Sequence, residues 1–405
     1  ARRYLLGAIL MGFSQAVTWS LLARYLDARG FGKEQVGNIL AADALGKTLV
    51  ALPAALWLAR RAVQRTFMVS ALIGGGAYML LPFVTNYYGL LVTNFVAGVC
   101  LAVHYVVIAP FLFRHTTSKE RASIFGLAEA TRTMASVVGS LAAGFLVAWL
   151  MTRWLAPGAI PGDHPQAEAD ATGYAIMGAG VTAILAALQY RRIADVRREG
   201  QGQQSILGSI WQHRSVVARF ALPQLFVAAG SGFCIPFLPL YFKDRFGLGP
   251  ESWGQLFAGG QVLMTIGLLL SPVVLARLGY VRSIVAIEVA SLPFFLMLAL
   301  TMSLPMAMAA FLLRGALMNS THPIHKNLMM LGTPEGVREV QTGINATLWG
   351  LGWVIGPRLG GQVLERSGDD YSLLMYFTMG CYLIAAVLTY LLLHPVEQQA
   401  QETVL

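Results

Sequence analysis

A chain of 405 residues that is 56% hydrophobic and 12% charged, with a mean hydropathy of +0.61, has too little polar surface for a water-soluble protein of two or three domains. Its net charge of +9 is spread in short Lys/Arg clusters between apolar runs, so it marks membrane topology and excludes a basic nucleic-acid-binding domain. Cys100, Cys234 and Cys381 lie inside apolar runs with no CxxC or Cys/His spacing, and neither a disulfide framework nor a zinc site is expected.

Apolar runs at 4–26, 35–58, 66–84, 90–113, 123–150, 173–190, 216–242, 252–276, 283–303, 305–331, 341–364 and 371–394 predict an all-α membrane protein of twelve transmembrane helices. The first run is too long for a signal-peptide core and lacks an evident cleavage site, so it is read as a span. On helix 1, Gln15 and Trp19 are four apart and share a face, an amide beside an aromatic wall. Helix 2 carries Asp43 and Lys47, again four apart, at a depth where an unpaired charge costs at least about 2.5–3.5 kcal/mol. They are an ion pair that closes the fold, or a coupling or gating site on a water-filled path.

His104 lies deep in helix 4, as a hydrogen-bonded core histidine, a substrate contact or a proton relay. On helix 5, Glu129 and Arg132 are three apart, readable as a gate or packing pair or as a proton-responsive carboxylate beside substrate. Helix 10 supplies Arg314, which has no acid on its own helix within one or two turns; it is read as the contact for an acidic substrate group, or as a partner of Glu288 or Glu129. Asn319 and His322 follow on that helix. Asn345 and Trp349 on helix 11 repeat the amide–aromatic spacing, and Arg358 is expected to snorkel or to hold an outer gate.

Lys and Arg crowd one set of breaks, among them Arg60, Arg61, Arg65, Arg114, Lys119, Arg191, Arg192, Arg277 and Arg282, and the positive-inside rule puts that side and both termini in the cytoplasm. The halves align without a gap at an offset of 217, which pairs Asp27 with Asp244, Gly30 with Gly247, Gly98 with Gly315, Gly139 with Gly356 and Arg65 with Arg282. Matched residues fall at helix ends and as glycines inside corresponding helices, the mark of a parallel six-plus-six repeat. The expected division is a bundle at 1–193, a cytoplasmic linker at 194–214 and a second bundle at 215–405.

The Asp27–Gly37 turn, the basic loop between helices 2 and 3, the Thr117–Gly126 loop and the run Gly352-Trp-Val-Ile-Gly356-Pro357-Arg358-Leu-Gly360-Gly361 resemble the major facilitator superfamily. The resemblance implies two pseudo-symmetric six-helix bundles rocking about a central cavity lined by helices 1, 4, 7 and 10. This chain departs from the family in lacking an acid before the loop arginines in Arg60-Arg61-Ala62-Val63 and Ala276-Arg277-Leu278-Gly279, and in carrying Gly-Pro on helix 11 rather than helix 5.

No convergent nucleophile, base or metal set, phosphate loop, HExxH or Gly-x-Ser-x-Gly is present, so neither an enzyme nor a cofactor is expected. Isolated polar groups inside spans suit a translocation path. The intramembrane cations Lys47, Arg132, Arg314 and Arg358 outnumber Asp43, Glu129 and Glu288, which points to an anionic, zwitterionic or amphipathic small solute meeting Arg314. Proton coupling through Asp43 or Glu129, a monomer surrounded by lipid and a bacterial inner membrane complete the expectation. A broad-specificity drug exporter, a lipid flippase and a transporter-fold sensor are the alternatives.

Overall fold

The computed structural model describes residues 2–58, 63–114, 121–155, 164–191, 214–333 and 338–404. The linker expected at 194–214 lies outside them except for Arg214, as does the Glu129 side chain. Every long described segment is helix and none is strand, because hydrocarbon offers no water to unpaired backbone groups and a helix satisfies its own. In chain order the helices are α1 (Arg2–Ala28), α2 (Lys33–Leu58), α3 (Val63–Leu80), α4 (Tyr87–Arg114), α5 (Arg121–Leu150), α6 (Pro165–Tyr190), α7 in two parts (Arg214–Cys234 and Leu238–Phe246), α8 (Pro250–Leu278), α9 (Tyr280–Leu300), α10 (Leu304–Gly332), α11 (Arg338–Ser367) and α12 (Tyr371–Val404). Among the described residues, nine helical stretches are long and apolar enough to cross a membrane by themselves.

The last helix runs to Val404, ten residues past the hydropathy reading, and the sixth and seventh differ from it as well. The sixth helix begins at Pro165 rather than 173, because proline suits a first helical turn and the acid in that turn, Glu168, is neutralised by an ion pair with Arg24. The seventh is interrupted by a 3-10 turn at Ile235–Phe237, where Pro236 and Pro239 withdraw two backbone donors.

The chain forms two compact units, 1–201 with 236–261 and 202–235 with 262–405. In the first, α1 packs on α5 and α6, and α3 packs on α4 and α6. The second repeats this arrangement as α7 on α11 and α12, and α9 on α10 and α12. The matched glycines have matched duties at some positions. A Cβ on Gly139 would come within 2.9 Å of Phe13 O where α5 crosses α1, and one on Gly356 within 2.4 Å of Gly232 C where α11 crosses α7. Gly30 and Gly247 both stop a helix with positive φ, 80° and 63°, a conformation in which any Cβ is strained.

Another stop is made by a side chain from far along the sequence. The Glu397 carboxylate, near the end of α12, accepts the Tyr280 and Val281 backbone N–H groups at 2.6 and 3.2 Å and so caps α9. Glu397→Ala is expected to cost about 0.5–2 kcal/mol, the range for a lost helix N-cap, read as a lower thermal unfolding midpoint in detergent.

Candidate functional site

Polar side chains of the first unit gather at two levels along α1. Toward its start is a cavity of about 190 Å³ lined by α1, α4 and α5. Gln15 from α1, His104 and Tyr105 from α4 and Arg132 from α5 face it, with Tyr4 and Met11 supplying aromatic and thioether surface. The Tyr105 hydroxyl donates to Gln15 Oε1, which fixes the amide against the cavity wall. The His104 ring packs against Phe67 and Tyr190, with centroids 5.0 and 5.5 Å away, while its buried Nδ1 has no hydrogen-bond partner among the described residues. A buried polar atom left open in this way is an offered contact for a solute or a water. Together the four side chains offer a guanidinium, an amide, a phenol and an imidazole around an apolar floor, the usual composition of a small-molecule site.

The Asp43–Lys47 pair forms as the spacing requires, with Lys47 Nζ donating to Asp43 Oδ2. Both side chains are part-exposed, 16% for Asp43 and 32% for Lys47. The pair rides on the tightest crossing of α2 and α4: a Cβ on Gly98 would lie 2.0 Å from Asp43 O, and one on Gly46 2.3 Å from Phe95 O. Tyr78 of α3 lies within electrostatic reach of both Asp43 and Tyr105, and neither Asp43 nor Lys47 lines the cavity.

The second level is at the other end of α1, about 14 Å beyond Gln15 at 1.5 Å per residue. There Arg24 binds Glu168 through Nε and Nη2 at 3.1 and 2.8 Å, and its Nη1 donates to Leu248 O at 2.6 Å. Around it, Lys33 joins Asp27 at 2.7 Å and Asp244 at 2.8 Å, and Lys243 joins Asp27 at 2.7 Å. Burial works against the Lys33 charge, but Asp27 and Asp244 outweigh it and hold the ammonium above the ordinary lysine range. Trp253 Nε1 donates to Ser20 O at 3.0 Å in the same region. These bonds tie the ends of α1, α2 and α6 to the 236–261 segment from the second half of the sequence.

Of the other residues singled out by the sequence, Trp19 is half-exposed one turn beyond Gln15 and is not a cavity residue. The remainder lie in the second unit. Arg314 is buried, 5% exposed, with its guanidinium over the Phe295 ring at 5.0 Å rather than at an open surface. Asn319 donates to Gly315 O at 2.8 Å. Asn345 donates to Met329 Sδ at 3.0 Å and accepts from Gln341 at 3.1 Å. Trp349 meets the His322 ring edge-on at 5.4 Å, and Arg358 is exposed.

The sequence reading did not single out Tyr105, Glu168 or the ion pairs of Arg24, Asp27, Lys33, Lys243 and Asp244. The one signal for them was the offset match of Asp27 with Asp244, acids at equivalent turns facing lysines.

The sequence matches the family model for the Major Facilitator Superfamily over residues 4–357 and 220–404. The chain belongs to the major facilitator superfamily. Its fold is similar to that of a bacterial homologue of the human lysosomal transporter Spinster in an inward-facing, unoccupied conformation, at 14% identity and a TM-score of 0.71, covering 98% of this chain and 95% of that one. It is also similar to the nucleoside transporter NupG, at 12% identity and a TM-score of 0.73, covering 97% of each chain. A third similar structure is a bacterial homologue of the iron transporter ferroportin in an inward-facing state, at 16% identity and a TM-score of 0.73, covering 97% of this chain and 98% of that one. A comparison with curated proteins gives no match. At such identities the structural likeness speaks to fold alone. As a superfamily member the chain is a multi-pass integral membrane transporter of two pseudo-symmetric six-helix bundles, and not an enzyme.

Proposed function

We propose that this protein is a secondary transporter that moves a small organic anion or zwitterion by alternating access, with the solute held in the cavity between α1, α4 and α5. The observation that supports this most is the convergence of Arg132, Gln15, Tyr105 and His104 on one cavity of about 190 Å³. An arginine offers several donors in a fixed fork and so binds a carboxylate or phosphate while keeping other contacts. The amide and phenol orient the rest of the solute, and the open His104 Nδ1 completes the polar set. The volume is smaller than the roughly 300–1,000 Å³ of drug-sized sites, which favours a small solute over the cargo of a broad exporter or a flippase.

In this reading the lysine–aspartate network closes one end of the path. Alternating access then requires the ends of α1 and α2 to part from the 236–261 segment, exchanging the ion pairs of Lys33 and Lys243 for water. By the charge asymmetry of the loops that end faces away from the cytoplasm and both termini are cytoplasmic. The protein acts as a monomer in lipid, against which side chains such as Leu269 and Leu391, 73% and 62% exposed, are placed. Coupling to protons runs through the carboxylate of Asp43, paired with Lys47 on α2, or of Glu129.

Uptake into proteoliposomes tests the assignment, using whichever organic anions raise the thermal unfolding midpoint of the purified protein. Arg132→Ala is expected to lower uptake of the anion at least about tenfold, the equivalent of one lost charge-assisted contact of about 1.4 kcal/mol or more. Tyr105→Phe is expected to lower it less, through a mobile Gln15. Unchanged uptake by Arg132→Ala for every anion that binds would remove the cavity as the solute site.

A further inference from the structure

The cavity between α1, α4 and α5 constrains the size and the flatness of a solute as well as its charge. A protein cavity of about 150 Å³ takes one benzene molecule, so a volume of about 190 Å³ has room for one six-membered ring and roughly 40 Å³ more, against roughly 30 Å³ for a single water. That remainder suits one small polar group and is too little for a second ring.

The walls match this volume. Tyr105 of α4 is 38% exposed, the most open ring among the described lining side chains, and its hydroxyl is bonded to Gln15 Oε1. The His104 ring meets it edge-on with centroids 6.2 Å apart, which braces the phenol from the side. Met11 of α1 and Ile108 of α4 supply apolar surface to the same cavity, and both pack on the core cluster that holds Tyr4 and Phe111. Tyr4 and Phe111 rest on each other at 5.0 Å and back this floor. A flat aromatic ring gains from a phenol face and from a thioether in a way that a saturated ring of the same size does not.

The charged part of the wall is narrow. Arg132 of α5 brings a guanidinium, and among the described lining residues there is no carboxylate and no second lysine or arginine. α1 touches α5 at this residue, since a Cβ on Gly12 would lie 3.3 Å from Arg132 O. One guanidinium matches one carboxylate. A second anionic group on the solute would lack a cation, and an ammonium would lack an acid. We infer that the solute is a single-ring aromatic monocarboxylate, of which benzoate is the simplest, with its ring between Tyr105 and Met11 and its carboxylate on Arg132. The inference rests on the solute reading of this cavity and narrows it to a chemical class.

Titration calorimetry of the purified full-length protein in detergent tests it, with benzoate, cyclohexanecarboxylate, a naphthalene carboxylate and phenylalanine as probes. Benzoate is expected to bind about three- to tenfold tighter than cyclohexanecarboxylate, the fold-change for one aromatic contact. It is expected to bind about tenfold or more tighter than the other two, because the naphthalene overfills the cavity and phenylalanine brings an unmatched ammonium. Tyr105→Leu is expected to abolish the preference for benzoate over cyclohexanecarboxylate, whereas Tyr105→Phe keeps the ring and is expected to keep the preference. If Tyr105→Leu does not fold, Met11→Leu is expected to reduce the preference by removing the thioether. Equal affinities for benzoate and cyclohexanecarboxylate, tighter binding of the naphthalene carboxylate, or a preference that survives in both leucine variants overturns the inference. If benzoate does not bind while another organic anion binds and depends on Arg132, the aromatic class falls and the solute reading stands. If benzoate binds Arg132→Ala as tightly as the wild type, both fall.

Discussion

Arg24→Ala is expected to destabilise the protein by about 3–5 kcal/mol, the cost of leaving one member of a buried ion pair without its partner. Arg24 and Glu168 are each 1% exposed, so water does not replace the lost contact. The substitution strands the Glu168 carboxylate, whose Oε2 already has no hydrogen-bond partner among the described residues, and also removes the donor to Leu248 O. Glu168→Ala is expected to be nearly as severe, since it leaves a permanent cation in the same place. Replacing both, Arg24→Met with Glu168→Leu, is expected to recover most of the loss, because an apolar pair of similar size avoids the desolvation that the ions offset. The measurement is the thermal unfolding midpoint of the three variants in detergent. Equal midpoints for the single and double variants would show that the pair is not the source of the loss.

Gly98→Ala is the second large effect expected. The new methyl would lie 2.0 Å from Asp43 O and 2.8 Å from Asp43 C, a clash with backbone that a rotamer change cannot relieve. α2 and α4 must separate, at about 1–3 kcal/mol for an overpacked crossing and occasionally more. Asp43 and Lys47 move with the helix that carries them, so the variant is expected to lower transport beyond what its stability explains. Gly315→Ala is the control: Gly315 is the offset counterpart of Gly98, yet a Cβ there meets nothing within 4 Å. Its unfolding midpoint is expected to match the wild type. A Gly98→Ala protein as stable as Gly315→Ala would mean that α2 and α4 are not in contact at this point.

What the sequence made legible was local or periodic. Asp43 and Lys47 pair because residues four apart share a helix face, a fact that needs no knowledge of neighbours. The repeat was readable from Gly30 with Gly247 and Gly139 with Gly356, since a left-handed stop and a close crossing each admit little but glycine. The offset fails as a guide at Gly98 and Gly315, because an alignment shows which positions correspond and not which face of each helix meets another.

The rest depended on long-range placement. Arg24 and Glu168 are 144 residues apart and Lys33 and Asp244 are 211 apart, and neither spacing nor hydropathy joins them. Gln15, His104 and Arg132 were each visible as a polar group within a span, but their convergence is set by how α1, α4 and α5 are rotated against one another. The same rotation decides Arg314. Depth within helix 10 marked it as a costly charge, and packing turned it inward onto Phe295, where a solute meets it only if the bundle interior opens. Glu168 was overlooked because Pro165 and the neighbouring acids read as loop until Arg24 supplied the neutralising charge.

The position of a bound solute tests the central claim most directly. A structure of the protein with an organic anion that raises its unfolding midpoint is expected to show density between α1, α4 and α5. Its acidic group should lie within hydrogen-bond reach of Arg132, and the Tyr105–Gln15 bond should be altered to admit it. Density confined to the second unit, with the cavity beside His104 and Arg132 empty of solute, would contradict the account.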